Sequence, residues 1–491
     1  MSVTTNLLTA RPPATRHMRV GLLVLMLFGV SAALSVVGLG TVLRPAFPMI
    51  AMLLGAWLLA TGRREDYVAL TLWLFMLTPC LRRLVDFNAG WSLVNVLMLA
   101  PYVTAMLSVL PMLKMLKARR FAYSGLFAVV FACVGYGLVV AAIDNRFFGA
   151  IFDTLRWGVP PCFGLFIALD PERRRSYQQV VTRTMLLALI VLSLYGIYQY
   201  LVVPPWDAMW MWESKMRSIG KPEPYLVRVF STMNSPGSFS SYVMAALLLV
   251  MPAMGAMRLP AIGLGGIVLL LTLVRTSWLG LMVGFIFLLL FGASVRARFS
   301  ILVALICLPL VVFGLAQIPQ GAEIIDRRLN TLSGVQDDES FLDRSLGYKN
   351  FFYYELAAAP FGSGLGVTGA YQSYNASPNA KLVDGAIIEI GLALGVFAGG
   401  AYLLAILTTA VVACLASFRS KDTFLSSCGA VVAAQTIGLV GGMTTAGEIG
   451  MLFWITAGFC LMPQLVSRPA MRPRSIRPIG ALLAKQSEPF R

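Results

Sequence analysis

The sequence predicts an all-α fold, a polytopic transmembrane helical bundle of 12–14 spans with a large extracytoplasmic loop between late spans. Three observations predict it. Only 12% of the 491 residues are charged and 58% are hydrophobic, where a soluble chain carries about 25% charged residues. The apolar residues gather in runs of roughly 15 to 25, long enough to cross a hydrocarbon core of about 30 Å as helices. The basic residues, finally, alternate along the chain in a way that puts most of them on one face.

Taken in order, residues 1–19 form a polar N-terminal tail with Arg11, Arg16 and Arg19. Residues 20–316 hold the first eleven spans, read from apolar runs at 20–37, 44–60, 67–81, 91–113, 122–142, 146–169, 183–203, 237–257, 261–274, 276–293 and 299–316, with a polar gap at 204–236. The run from Val20 is long and many spans follow it, so it reads as a span rather than a cleavable signal. Residues 317–383 form the large loop. Residues 384–466 hold the last spans (384–416, 424–444 and 446–466), and 467–491 form a basic tail. The run 384–416 is either one tilted helix or two pieces broken at Gly399–Gly400.

Counting Lys and Arg on alternating sides fixes the orientation. One side, comprising both tails and alternate loops, collects 24 of the 39 basic residues. That side is cytoplasmic, and both polar gaps face the opposite, extracytoplasmic side. The net charge of +17 is therefore topology, and no basic–aromatic pattern suggests nucleic acid. An outer location also argues against ATP- or nicotinamide-dependent chemistry in the gaps. The seven cysteines fall in or beside apolar runs without paired spacing, which reads as core rather than a disulfide or metal site. The one histidine, His17, lies in the N-terminal tail, which removes most His-based metal sites and general bases.

Several polar groups in or beside the spans call for an explanation. Arg156 follows Asp153 by three residues, helical spacing for a structural ion pair or a functional group. Arg228 and Asn234 lie just before span eight, and Arg275 lies at the outer junction of spans nine and ten. A lone arginine at a span end often only snorkels. Three at one surface, with Arg344 in the large loop, offer the guanidinium forks that bind a diphosphate. The loop's Gly364, Gly366 and Gly369 formally match GxGxxG, but no βαβ unit surrounds them. They read instead as a tight turn close to membrane or substrate. The aromatic run from Tyr348 to Tyr354 is an interfacial belt or a sugar-stacking surface. Asp384 and Glu389 open span twelve about 500° apart around a helix of roughly 100° per residue, so they face different ways. Glu389 reads as functional or as an arginine's partner. Asp384, at the loop–helix junction, is placed to accept a proton from a sugar hydroxyl.

The ordered set of motifs resembles the O-antigen ligase/polymerase family over residues 220–460. The motifs are Arg228 with its Asn-Ser-Pro-Gly stretch to Tyr242, the Leu271–Met282 segment, Arg344, Tyr348 and Pro360–Gly366, and Glu389–Gly395. The family is similar to GT-C glycosyltransferases and acts at the outer face of the bacterial inner membrane on an undecaprenyl-diphosphate-linked glycan. The resemblance implies that Arg228, Arg275 and Arg344 engage the diphosphate, with Asn234 beside them. It also implies inverting transfer to an acceptor glycan without metal or cofactor. Arg275, Arg344 and Asp384 are then the expected catalytic residues. Glu389, Arg156, Tyr348, Gly364 and Gly366 are the supporting ones. Besides the lipid bilayer and the lipid-linked oligosaccharide, a chain-length regulator is an expected partner. Ligases of the family carry a histidine near the start of the return helix, where this sequence has SPNAKLVDGAIIEIG. Asp384 is the nearest substitute. The expectation is therefore a polymerase of a surface or exopolysaccharide, with an O-antigen ligase as the first alternative. A polysaccharide-lipid flippase is the second, but it would spread polar groups through the bundle midplane in repeated halves, and no such repeat is evident.

Overall fold

The computed structural model describes residues 14–93, 95–118, 121–252, 255–292, 295, 298–299, 301–302, 317, 346–368 and 385–462. The predicted 299–316 span, most of the large loop (with Arg344, Gly369 and Asp384) and the C-terminal tail lie outside them. The described residues are helical, with one isolated bridge, Gly220–Val227, and no strand. The helices are α1 (Ala14–Leu34), α2 (Gly40–Ala60), α3 (Arg64–Ala89), α4 (Ala100–Met106), α5 (Val109–Ala118), α6 (Ser124–Ile143), α7 (Phe147–Ala168) and α8 (Arg174–Val202). After these come α9 (Pro205–Glu213), α10 (Pro236–Val250), α11 (Arg258–Thr272), α12 (Arg275–Phe291), α13 (Ala386–Ser420), α14 (Thr423–Gly438) and α15 (Gly447–Leu461). Six described helical stretches are long and apolar enough to cross a membrane, and α10, α11, α12, α14 and α15 are shorter apolar helices. The protein is an all-α, multi-pass membrane protein.

The first 40 apolar residues fold as a hairpin, not one long rod. Gly21 lies against Trp73, and the Ser35 hydroxyl donates to the Leu84 carbonyl at 3.2 Å, so α1 runs parallel to α3. Gly40 then lies against Ala89 and Gly55 against Tyr67, so α2 runs back antiparallel. Two spans result, as the hydropathy predicts.

Helix α3 is the central column: 94% of its apolar window is buried, against 17% for the hairpin beside it. Hydropathy ends this span at residue 81, whereas the helix continues to Ala89 through Arg82, Arg83 and Asp86, all buried. Polar groups at its end are paired inside the protein, which a hydropathy average cannot register. On the far side, α7 and α15 cross backbone to backbone. A Cβ on Gly164 would lie 2.4 Å from the Trp454 carbonyl, and one on Gly458 would lie 2.4 Å from the Gly164 carbonyl. Small residues at such crossings let apolar helices approach without a hydrophobic drive between them.

Helix α13 is continuous over 35 residues but sharply kinked at Gly395, whose φ of 71° and ψ of −166° leave the helical region. The break therefore falls at Gly395, four residues before Gly399–Gly400.

Candidate functional site

The polar residues singled out in the sequence gather around the ends of α10–α15, and a buried network sets the first of them. Residues 227–235 run as irregular backbone between α9 and the start of α10. Arg83, fully buried on α3, donates to the carbonyls of Met233 at 2.6 Å and Ser231 at 2.5 Å and pairs with Asp207 of α9 at 3.1 Å. Gln199, also fully buried, donates to Asp207 at 2.6 Å and accepts the backbone N–H groups of Phe230 and Ser231 at 2.9 and 2.8 Å. Tyr195 donates to the same carboxylate at 3.0 Å. Burial pushes the Asp207 carboxyl above the ordinary carboxylate range, against the opposing pull of the Arg83 guanidinium and the two hydrogen bonds. Backbone that makes no regular structure is thus satisfied group by group from α3, α8 and α9.

This scaffold presents Arg228 to the α11–α12 turn. Its Nε donates to the Thr272 carbonyl at 3.2 Å and its second nitrogen to the Leu273 carbonyl at 2.9 Å. The arginine therefore satisfies carbonyls at the end of α11 and fixes the turn from which Arg275 emerges. Arg275 is exposed at the first position of α12, and the N-cap residue there, Val274, supplies no side-chain cap. Neighbouring helix starts are better occupied. Ser235 caps α10 by accepting from the Ser238 N–H at 3.2 Å. Glu448, in the first turn of α15, accepts the Ser238 hydroxyl at 2.6 Å. The start of α12 thus combines a helix N-terminus with the exposed Arg275, whereas the first turn of α15 carries the carboxylate of Glu448. Asn234, one residue before the cap, contacts the Met98 sulfur with its amide and gives its carbonyl to Trp210.

Beside Arg275 opens a cleft of about 90 Å³ between α10, α12, α14 and the start of α15. Gly237, Ser241, Thr276, Ser277, Gln435 and Thr444 contribute to its lining.

A second group of residues holds the glycine-rich loop. Asp153 pairs with Arg156 at 3.2 Å and accepts the Gly366 N–H at 2.7 Å. Arg156 also pairs with Glu389 of α13, which in turn accepts the Thr368 hydroxyl at 3.4 Å. The ion-pair reading of Asp153 and Arg156 and the arginine-partner reading of Glu389 both agree with this geometry. The loop itself docks as backbone: Ser363 and Gly364 donate to the Leu392 and Ala393 carbonyls, Leu365 to Gly137 on α6, and Val396 to the Pro360 carbonyl. A Cβ on Gly364, whose φ is +81°, would lie 2.5 Å from the Ala141 nitrogen. The kink at Gly395 is the other half of this contact, since a Cβ there would lie 2.3 Å from the Pro360 carbonyl oxygen. The glycines thus serve close helix packing. Tyr348, on the short helical stretch 346–358, donates to the Val440 carbonyl at 3.2 Å beside Gly385. Its neighbours Phe352, Tyr353 and Tyr354 are exposed.

The structure therefore groups Arg156, Glu389, Gly364 and Gly366 around one loop, and Arg228 and Arg275 around one turn. Arg344 and Asp384 lie outside the described residues. Sequence reading passed over Arg83, Asp207, Gln199, Gln435 and Glu448. A lone Gln inside an apolar run, as at Gln199 and Gln435, is a signal in principle, because an amide buried without partners is unfavourable; the other three acquire meaning only through partners distant in sequence.

These features define a multi-pass helical membrane protein whose polar machinery sits where its late helices end. A family model described as O-antigen ligase matches residues 260–403. The match runs from α11 through Arg275 and the glycine loop to the middle of α13, and over that segment the chain is similar to the O-antigen ligase family. The match supports glycosyl transfer of that general type. No curated protein matches the chain.

Proposed function

We propose that the protein is a polymerase of undecaprenyl-diphosphate-linked repeat units, working at the periplasmic face of a bacterial inner membrane. The observation that carries this reading is the start of α12. An uncapped helix N-terminus and the exposed Arg275 adjoin a polar cleft, on a turn that Arg228 holds from behind. Helix N-termini and guanidinium groups are the two devices that bind phosphate oxygens without a metal. Arg228 acts here as a positioning residue, its guanidinium occupied with the carbonyls of the turn.

In the reaction, an acceptor hydroxyl oxygen attacks the anomeric carbon of the lipid-linked sugar. The bond from that carbon to the phosphate oxygen breaks with inversion, and the diphosphate leaves with the electron pair. Charge develops on the departing diphosphate, so preorganised positive groups there lower the barrier. The hydroxyl proton passes to a carboxylate. Asp384 fills that role in this reading, since it immediately precedes Gly385, the N-cap of α13. The polymerase reading over a ligase rests on the sequence, whose one histidine is His17.

Expression of Arg275→Ala in a strain lacking the gene tests the reading. The expected outcome is loss of polymer beyond a single repeat unit, with normal amounts of protein in the membrane. Normal chain lengths would remove Arg275 from the reaction. Loss of glycan attached to lipid A-core, with chain length intact, would favour the ligase.

A further inference from the structure

Helix α14 carries a polar side chain that the proposed mechanism leaves unused. Gln435 is only 1% exposed, yet it lines the cleft beside Arg275. Neither its amide nitrogen nor its amide oxygen has a hydrogen-bond partner among the described residues. The surrounding hydroxyls do not compete for it. Ser241 donates to the Gly237 carbonyl at 2.9 Å, and Thr444 donates to the backbone carbonyl of Gln435 at 2.6 Å. Ser277 and Ser240 share a hydrogen bond of 2.7 Å. Buried amides are normally satisfied, and one left open in a cleft marks a place where something else completes it.

We infer that Gln435 reads a sugar ring in this cleft, its amide oxygen accepting from one hydroxyl and its amide nitrogen donating to the adjacent one. A primary amide offers a donor and an acceptor side by side, and vicinal ring hydroxyls offer the complementary pair. An anionic ligand would leave the acceptor oxygen facing like charge, a cationic one would leave the donor nitrogen without an acceptor, and an apolar one would leave both atoms unsatisfied. The cleft encloses about 90 Å³, room for the edge of one ring rather than for an engulfed ligand of the roughly 300–1,000 Å³ class. Met244 and Met443 supply its apolar wall, against which a ring face can rest. Thr276 and Ser277, directly after Arg275, form the opposite side. The bound ring is thus adjacent to the proposed diphosphate cradle, either on the donor or at the end of the acceptor. The inference rests on the glycosyl-transfer reading for the source of the sugar, but not for the binding itself.

The test uses the full-length protein in detergent and the oligosaccharide released by mild acid from the lipid-linked glycan that accumulates in a strain lacking the gene. Titration calorimetry compares wild type with Gln435→Met, which keeps length and removes both polar atoms. The inference expects at least a tenfold loss of affinity for the free oligosaccharide. It also expects a melting temperature equal to or above wild type, because an unsatisfied buried amide has been removed. A purely structural role for Gln435 predicts a lower melting temperature instead. Unchanged affinity, or no binding by wild type, overturns the inference. Transfer kinetics locate the ring: Gln435→Met raises KM for the lipid-linked donor if the ring belongs to it, and KM for the acceptor otherwise, with kcat within twofold of wild type. Should the oligosaccharide bind through Gln435 while wild type transfers no glycan, the sugar site stands and the transferase reading falls.

Discussion

Two glutamines buried in apolar helices, Gln199 and Gln435, are treated by this protein in opposite ways. Gln199 uses both ends of its amide on protein groups, joining Asp207 to the backbone of residues 230–231. Gln435 uses neither. Sequence context does not separate them, since each is a lone amide in an apolar helix. The difference is completion. Around Gln199 the protein supplies every partner itself, and the product is a rigid support for irregular backbone. Around Gln435 the hydroxyls bond to backbone carbonyls or to each other, and the buried amide is left without a partner among the described residues. Among the arginines, Arg83 and Arg156 are joined to buried carboxylates, whereas Arg275 is exposed at the start of α12.

Substitutions can break this comparison at each point. The largest effect is expected at Arg83. Its replacement by Met leaves Asp207 buried without its cation and should cost about 3–5 kcal/mol, read as a lowered melting temperature and less folded protein on size exclusion. Adding Asp207→Asn should recover part of the loss. Wild-type stability in the single variant would mean that the network does not hold the 227–235 backbone. Next comes Gln199→Met, which orphans the N–H groups of Phe230 and Ser231 and should cost roughly 1–3 kcal/mol for each. The same substitution at Gln435 should leave stability level or raised. That difference in sign is the sharpest internal check, and equal losses at both sites would dissolve the distinction. Gly364→Ala is expected to cost roughly 1–3 kcal/mol through its positive φ, with the contact to Ala141 adding to that. An unchanged melting temperature in that variant would show that the glycine loop does not depend on close backbone contact.

Much of this was legible in the sequence where the signal is local. The runs 122–142 and 146–169 correspond closely to Ser124–Ile143 and Phe147–Ala168, because apolar helices of spanning length are written in composition. The same criterion cut α3 short at residue 81, since a hydropathy average cannot register that Arg82 and Asp86 pair with each other and with the turn that follows, or that Arg83 is satisfied by residues far away in sequence. The pairing of Arg156 with Asp153 was visible from a spacing of three residues, but that with Glu389 needed the tertiary fold to bring α7 and α13 together. The break in α13 falls at Gly395 rather than Gly399 for a similar reason. Both are glycines in an apolar run, and the loop at Pro360–Gly364 decides which one it docks against. For the site, Arg275 stood out because it was one of several arginines gathered at one surface, where a lone one would only snorkel. Gln435 did not, because one amide hardly alters the hydropathy of the run around it.

The central claim, that Arg275 and the start of α12 stabilise a departing diphosphate, is tested most directly by glycan extension in vitro. Wild-type protein and Arg275→Ala are each given the lipid-linked repeat unit, and products are separated by length. The account predicts a ladder for wild type and extension reduced by about 10²–10³-fold for the variant. It also predicts equal melting temperatures and equal affinity for the free oligosaccharide. A variant that builds the same ladder at the same rate would contradict it.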